Sequence, residues 1–366
     1  MWKTFGVRER YQCIQTRNRH LRRNKSFLLI SVILLTCFFG VILVYVYKED
    51  NSMDVKISDR VFQVEKESLT QFIGIIRESS QETENAKSLK VDDIPLLTLF
   101  TSWVDRKDKY VVQNRTIENW ISFWPHIQPV IFTNDTKLEG QCRQRGWRVV
   151  TLKRTAAESV PVLKYMYLDA MHQFNSTFYG FSNSDILFND GIIKSLVTIR
   201  KFIEINRHPV LITGRRTNVD YKIPCNASDW RNITSVSKKG ELVDHFSADY
   251  FITTKDYPWQ EMDEIIIGHM RVDNWVIQFS LLKNVIVIDS TPTILALHQT
   301  TETGNAEGES KKTKFYNVDI VRKVRSITIN VNRGQTDCAE YVTNFTRSEL
   351  VRLVRKTPQA ICKSVE

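Results

Sequence analysis

Between Ser26 and Tyr47 the chain has no charged residue, and this absence sets the organisation of everything after it. Read as a helix rising about 1.5 Å per residue, the stretch SFLLISVILLTCFFGVILVYVY reaches the ~30 Å of a bilayer's hydrocarbon core. It also lacks a small-residue cleavage site, ending in Val44, Tyr45, Val46 and Tyr47, so it reads as a retained anchor and not a cleaved leader. Net positive charge is small beyond it. Lys3, Arg8, Arg10, Arg17, Arg19, Arg22, Arg23 and Lys25 precede the span against Glu9 alone, leaving roughly +3 of the formal +10 on the far side. Lys and Arg stay cytoplasmic, so the expected topology is single-pass type II with the bulk of the chain in the secretory lumen. The sequence pI near 9.2 is thus a topology signal, and a nucleic-acid partner loses its support.

Cysteine is also sparse. Cys13 lies in the tail and Cys37 in the span, leaving Cys142, Cys225, Cys338 and Cys362 as disulfide candidates in an oxidising lumen, with three connectivities open. Asn-X-Ser/Thr sequons begin at Asn114, Asn134, Asn175, Asn226, Asn232 and Asn344, all past the span, as a glycosylated ectodomain requires; Asn24 starts another on the cytoplasmic side. No internal repeat is visible.

The chain divides into a basic cytoplasmic tail (1–25), an anchor (26–47), a stem (48–94), a lumenal domain (95–300) and a C-terminal extension packed on it (301–366). In the stem, Phe62, Leu69, Phe72, Ile73 and Ile76 recur at helical spacing, which suits either a coiled coil joining two copies of the chain or a helix resting on the domain or lipid surface. From Leu96 to Thr300 short apolar runs alternate with amphipathic segments. Expected strands are LLTLFTSW from Leu96, PVIFTN from Pro129, RVVTL from Arg148, FYGFSNSDILF from Phe178, PVLITG from Pro209, ADYFITT from Ala248, VIVIDS from Val285 and ILALHQ from Ile294. Expected helices include VPVLKYMYLDAM from Val160 and MRVDNWVIQFSLL from Met270. Buried strands separated by helices predict an α/β fold, a three-layer α/β/α sandwich on a mostly parallel sheet. After His298 comes a polar loop, then a strand at SITINV and a helix near Arg347 to Arg355.

In an open α/β sheet, ligands bind beyond the carboxyl ends of the strands, so the polar residues that end apolar runs are the candidates. Asn183, Ser184 and Asp185 interrupt an aromatic run, and Asn183 and Asp185 at i and i+2 offer hard oxygens to Mn²⁺ or Mg²⁺; an Asx-turn explains them equally well. Arg215 and Arg216 follow Gly214 at a strand end, where guanidinium groups suit phosphate or carboxylate, or a surface pair with Asp220. Asp273, Asn274 and Trp275 open a helix, where Asp273 either caps backbone amides or serves as a general base. His298 ends the run ILAL and is either a metal ligand or a hydrogen-bonded surface residue.

Together, over Leu96 to Gln299, these clusters resemble glycosyltransferases of the GT-A fold. The resemblance implies that Asn183, Ser184 and Asp185 stand for the Asp-X-Asp motif carrying the metal that bridges a sugar nucleotide's phosphates. It further implies that His298 completes the metal shell, that Asp273 faces the acceptor beside Asp220, Asn274 and Trp275, and that the opening strand with Phe100, Thr101 and Trp103 cradles the nucleobase. Lys164, Arg215 and Arg216 fall to the phosphates. Asn183 replaces the usual aspartate and removes one negative charge. The expected activity is transfer of a sugar from a nucleotide donor to a glycan, protein or lipid acceptor in the Golgi lumen. The competing expectation is a non-catalytic lumenal or cell-surface glycan-binding protein on the same fold. A Golgi sulfotransferase would need a glycine-rich phosphate loop, which SWVDRKDKYVV does not supply.

Overall fold

In β1 (Leu97–Thr101), Leu97 and Leu99 face one side of a sheet and Phe100 the other, and all are buried, as a strand covered on both faces requires. The computed structural model describes residues 94–302 and 312–363, and there this alternation recurs from strand to strand. The further strands are β2 (Ile127–Phe132), β3 (Arg148–Val150), β4 (Phe178–Ser182), β5 (Ile186–Phe188), β6 (Val210–Asp220), β7 (Glu241–Leu242), β8 (Ala248–Thr254), β9 (Ile286–Asp289), β10 (Ala296–Thr300), β11 (Tyr341–Phe345) and β12 (Val351–Arg355). The helices are α1 (Tyr110–Ile121), α2 (Thr136–Gln144), α3 (Leu163–Gln173), α4 (Gly191–Asn206), α5 (Trp230–Ser237), α6 (Val272–Leu282) and α7 (Tyr316–Arg325).

The sheet runs β12-β11-β9-β6-β8-β4-β1-β2-β3. On the Leu97 face, α1, α2 and α4 contribute Ile117, Trp120, Leu138, Ile192, Leu196 and Ile199 to one core. On the Phe100 face, α3, α6 and α7 contribute Met166, Tyr167, Trp275, Phe279 and Val321 to another. The expected three layers are therefore present. The sheet is mixed, however: β4-β1-β2-β3 and β6-β9-β11 are two parallel blocks, and β8 runs antiparallel between them. Because β8 is buried along its whole length, its sequence reads like that of a parallel strand and gives no direction. β10 pairs parallel with the outer half of β6 and antiparallel with β5, bringing the end of β10 beside the turn between β4 and β5.

The C-terminal segment departs from expectation. SITINV forms no strand, Ile329 being buried in the Phe100-face core, and the helix lies earlier, at α7. Residues 351–355 form β12, because pairing with β11 decides a sequence, LVRLVR, whose spacing suits helix and strand alike. Of the disulfide candidates, Cys338 and Cys362 are bonded, whereas Cys142 and Cys225 are free thiols. Burial on the inner face of α2 pushes the Cys142 thiol up to about 12. The bridge closes a loop spanning 24 residues, so reductant should lower unfolding stability by about 3 kcal/mol in chemical denaturation; no change would mean that β11, β12 and α7 hold the segment unaided. The expected anchor at 26–47 and nearly all of the stem lie outside the described residues. Among the described residues no helix is long and apolar enough to cross a membrane.

Candidate active site at the carboxyl end of β4

The aromatic strand β4 ends at Ser182, and the chain turns through Asn183, Ser184 and Asp185 before re-entering the apolar interior as β5. The Asn183 amide nitrogen donates to Asp249 Oδ1 at 2.8 Å, and its backbone N–H donates to the Asp249 carbonyl. Asp249 is the second residue of β8, buried between Ala248 and Tyr250. A carboxylate there is costly unless paired. Its other oxygen meets Arg216 Nη1 at 2.5 Å, with the two side chains only 7 % and 13 % exposed. Arg216 Nε donates to Asn218 Oδ1 at 3.1 Å, while Nη2 has no partner among the described residues.

Across β10, His298 Nε2 lies 3.2 Å from Asp185 Oδ2, and its Nδ1 is 3.1 Å from Thr300 Oγ1. Burial alone would raise the Asp185 carboxyl. The His298, Lys109 and Arg216 charges outweigh it and bring the carboxyl below its ordinary range. For His298, burial opposes the charged form, but Asp185 and then Asp249 dominate and raise the imidazole. Asp273, in the first turn of α6, accepts from the Asn274 N–H at 2.9 Å and from the Ala248 N–H at 3.4 Å. Burial, reinforced by the nearby Asp249 charge, raises its carboxyl to about 6.

The structure thus brings together Asn183, Asp185, Arg216, Asp273 and His298, and adds Asp249, Asn218 and Lys109, which sequence reasoning missed. The available signal for Asp249 was a carboxylate inside an otherwise uncharged strand, ADYFITT. Arg215 diverges from Arg216 because successive strand residues point to opposite faces; its Nε donates to the Val243 carbonyl and its backbone N–H to Thr291 Oγ1. Gly214 precedes them because an added Cβ would lie 2.3 Å from Tyr250 Oη and 2.8 Å from the Thr291 nitrogen.

Other expected site residues sit elsewhere. Lys164 is bound to the Gln260 carbonyl at 2.7 Å, outside the cluster. Asn274 holds the Phe246 and Gly334 carbonyls, and Trp275 is fully buried with its Nε1 on Asp263 Oδ2, so both serve packing. The Ser184 carbonyl accepts from Thr116 Oγ1. Asp220 caps the Lys222 N–H and lines an open cleft of about 450 Å³ with Asn218, Tyr221 and Thr300. At the end of β1, Thr101 Oγ1 and Trp103 Nε1 are buried without hydrogen-bond partners, and Trp103 packs edge-on against Trp147 at 5.7 Å. Among the sequons, Asn134, Asn175 and Asn226 are exposed, and Asn114, Asn232 and Asn344 are half-buried.

The predicted ligands do not fit a divalent cation in this arrangement. Asp185 Oδ1 is sealed from solvent, so the 26 % exposure its side chain retains lies on its carbons and on Oδ2, which already faces His298. Asn183 is oriented by the bond from its amide nitrogen to Asp249, and its amide oxygen is the atom left over. Among the described residues, no group of three or more His, Cys, Asp or Glu side chains converges as a metal site.

No family profile and no curated protein matches the chain. Solved structures similar to it include residues 1–349 of TarS from S. aureus in complex with UDP-GlcNAc, 15 % identical over 34 % of this chain and 35 % of that one, with a TM-score of 0.24. A protein from Desulfovibrio desulfuricans G20 described as a nucleotide-diphospho-sugar transferase is 11 % identical over 53 % and 78 % of the two chains, TM-score 0.32. The mannosyltransferase PcManGT from Pyrobaculum calidifontis, solved with GDP-mannose and Mn²⁺, is 10 % identical over 58 % and 59 %, TM-score 0.34. The chain spans about a third of the TarS chain, and at these scores none of the likenesses carries an argument about its chemistry.

Proposed function

We propose that the chain is a nucleotide-sugar-dependent glycosyltransferase whose site is the Asp185, Arg216, Asp249, Asp273 and His298 cluster. The observation that carries this reading is Asp273. A carboxylate raised to about 6, held at a helix start and bordered by an arginine able to face an anion, is matched to accepting a proton near neutral pH. In the reaction, an acceptor hydroxyl oxygen forms the new bond to the anomeric carbon and gives its proton to Asp273. The bond from that carbon to the donor's phosphate oxygen breaks, and its electron pair leaves with the nucleoside diphosphate. Arg216 Nη2 offers hydrogen bonds to that departing charge. Thr101 and Trp103, with unpartnered polar atoms at the end of β1, suit the nucleobase side. The cleft beside Asp220 and Tyr221 suits a polar acceptor: glycan, protein or lipid-linked.

An anchor at 26–47, a stem able to join two copies, and a Golgi address belong to the same proposal. They are supported by the uncharged span, the bridge between Cys338 and Cys362 and the exposed sequons. A thermal-shift panel of nucleotide sugars on the full chain tests the donor class; stabilisation by none of them contradicts it. For turnover, kcat/KM should climb with pH through about 6 as Asp273 loses its proton. A profile flat from about pH 5 to about pH 8 would remove Asp273 from the base role.

A further inference from the structure

The cluster holds three carboxylates, the composition that ordinarily attracts a divalent ion, yet five of their six oxygens are already engaged. Asp249 Oδ1 takes the Asn183 amide and Oδ2 takes Arg216. Asp273 Oδ1 and Oδ2 take the backbone N–H groups of Asn274 and Ala248. Asp185 Oδ2 faces His298, and Oδ1 is buried without a hydrogen-bond partner. The donor left over in the cluster belongs to a cation. Arg216 is held by two of its donor nitrogens, which fixes the guanidinium plane and leaves Nη2 without a partner among the described residues. Lys109, which donates to Thr301 Oγ1 at 2.7 Å, stands within electrostatic reach of Asp185. A divalent ion entering here would have to part His298 from Asp185 Oδ2 or reach the buried Oδ1, and would sit near the Arg216 and Lys109 charges.

We propose that Arg216, assisted by Lys109, supplies the positive charge that faces the donor's diphosphate, so that nucleotide binding at this site requires no divalent cation. The inference rests on the nucleotide-sugar reading above and adds how the phosphates are recognised. An oriented guanidinium makes paired, charge-assisted hydrogen bonds to phosphate oxygens, and a lysine adds a point charge.

The test is calorimetric titration of UDP and of GDP into the full-length chain, once with EDTA and once with Mn²⁺. At least one diphosphate should bind in EDTA within about threefold of its affinity in Mn²⁺. Arg216→Gln should weaken that binding about tenfold or more and leave binding of the uncharged nucleoside unchanged, which shows that the fold survives. Lys109→Gln, which leaves the Arg216–Asp249 pair untouched, should weaken it about threefold. Binding that disappears in EDTA and returns with Mn²⁺, or an Arg216→Gln variant that binds diphosphate as the parent does, overturns the inference while leaving the nucleotide reading intact. Absence of binding by either diphosphate in both conditions overturns the nucleotide reading, and this inference with it.

Discussion

Asp273→Asn is expected to lower transfer about 10²- to 10⁴-fold while making the protein more stable at neutral pH. The first effect follows from removing the proton acceptor without changing its shape. The second follows from linkage. The folded-state value of about 6 lies above the ordinary 3.8, so the folded chain holds this proton more firmly than the unfolded one. The stability the group contributes is fully present below about pH 3.8 and is lost as pH rises through about 6. At pH 7 the parent carries the cost of a buried, ionised Asp273, of the order of 1–3 kcal/mol, and an amide does not. Chemical denaturation at about pH 4 and about pH 7 should therefore show the parent losing stability relative to Asp273→Asn as pH rises. An inactive variant with no stability gain would mean that Asp273 acts through structure, and an active one would end its catalytic assignment.

Asp249→Ala is expected to cost about 3–5 kcal/mol, the usual penalty for removing one partner of a buried ion pair. Arg216 would be left 13 % exposed without its carboxylate, and the Asn183 amide would lose its acceptor at the turn that carries Asp185. By contrast, cutting the exposed pair between Arg143 and Glu139 on α2 should change little. Denaturant melts of the two variants distinguish a buried keystone from a surface contact. A small loss for Asp249→Ala would show that solvent or a side-chain shift replaces the pair, and would loosen the geometry argued for Arg216.

Much of the site was legible because polar residues inside apolar runs stand out. Asn183 and Asp185 break an aromatic strand, Asp273 opens a helix and His298 ends a strand, and the fold gathers all four. The choice between Arg215 and Arg216 was not legible, since adjacent strand residues face opposite sides and the register comes from pairing with β8. Asp249 escaped because β8 reads as one more buried strand, and only its contact with Arg216, 33 residues away in sequence, explains a charge there. Asn274 and Trp275 were grouped with Asp273 by proximity, but a helix turns about 100° per residue, so the residues that follow Asp273 rotate into the core. The metal expectation rested on residue types alone, which say nothing of how those side chains bond to one another. Here five of the six carboxylate oxygens are already engaged. The C-terminal strand β12 was read as a helix because LVRLVR fits both periods until β11 lies beside it.

The measurement closest to the central claim is release of nucleoside diphosphate from a panel of nucleotide sugars by the full-length chain, with Asp273→Asn run alongside. The parent should release it from at least one donor, and the variant should lose about 10²-fold or more. Release from no donor, or equal release by both proteins, would contradict that claim.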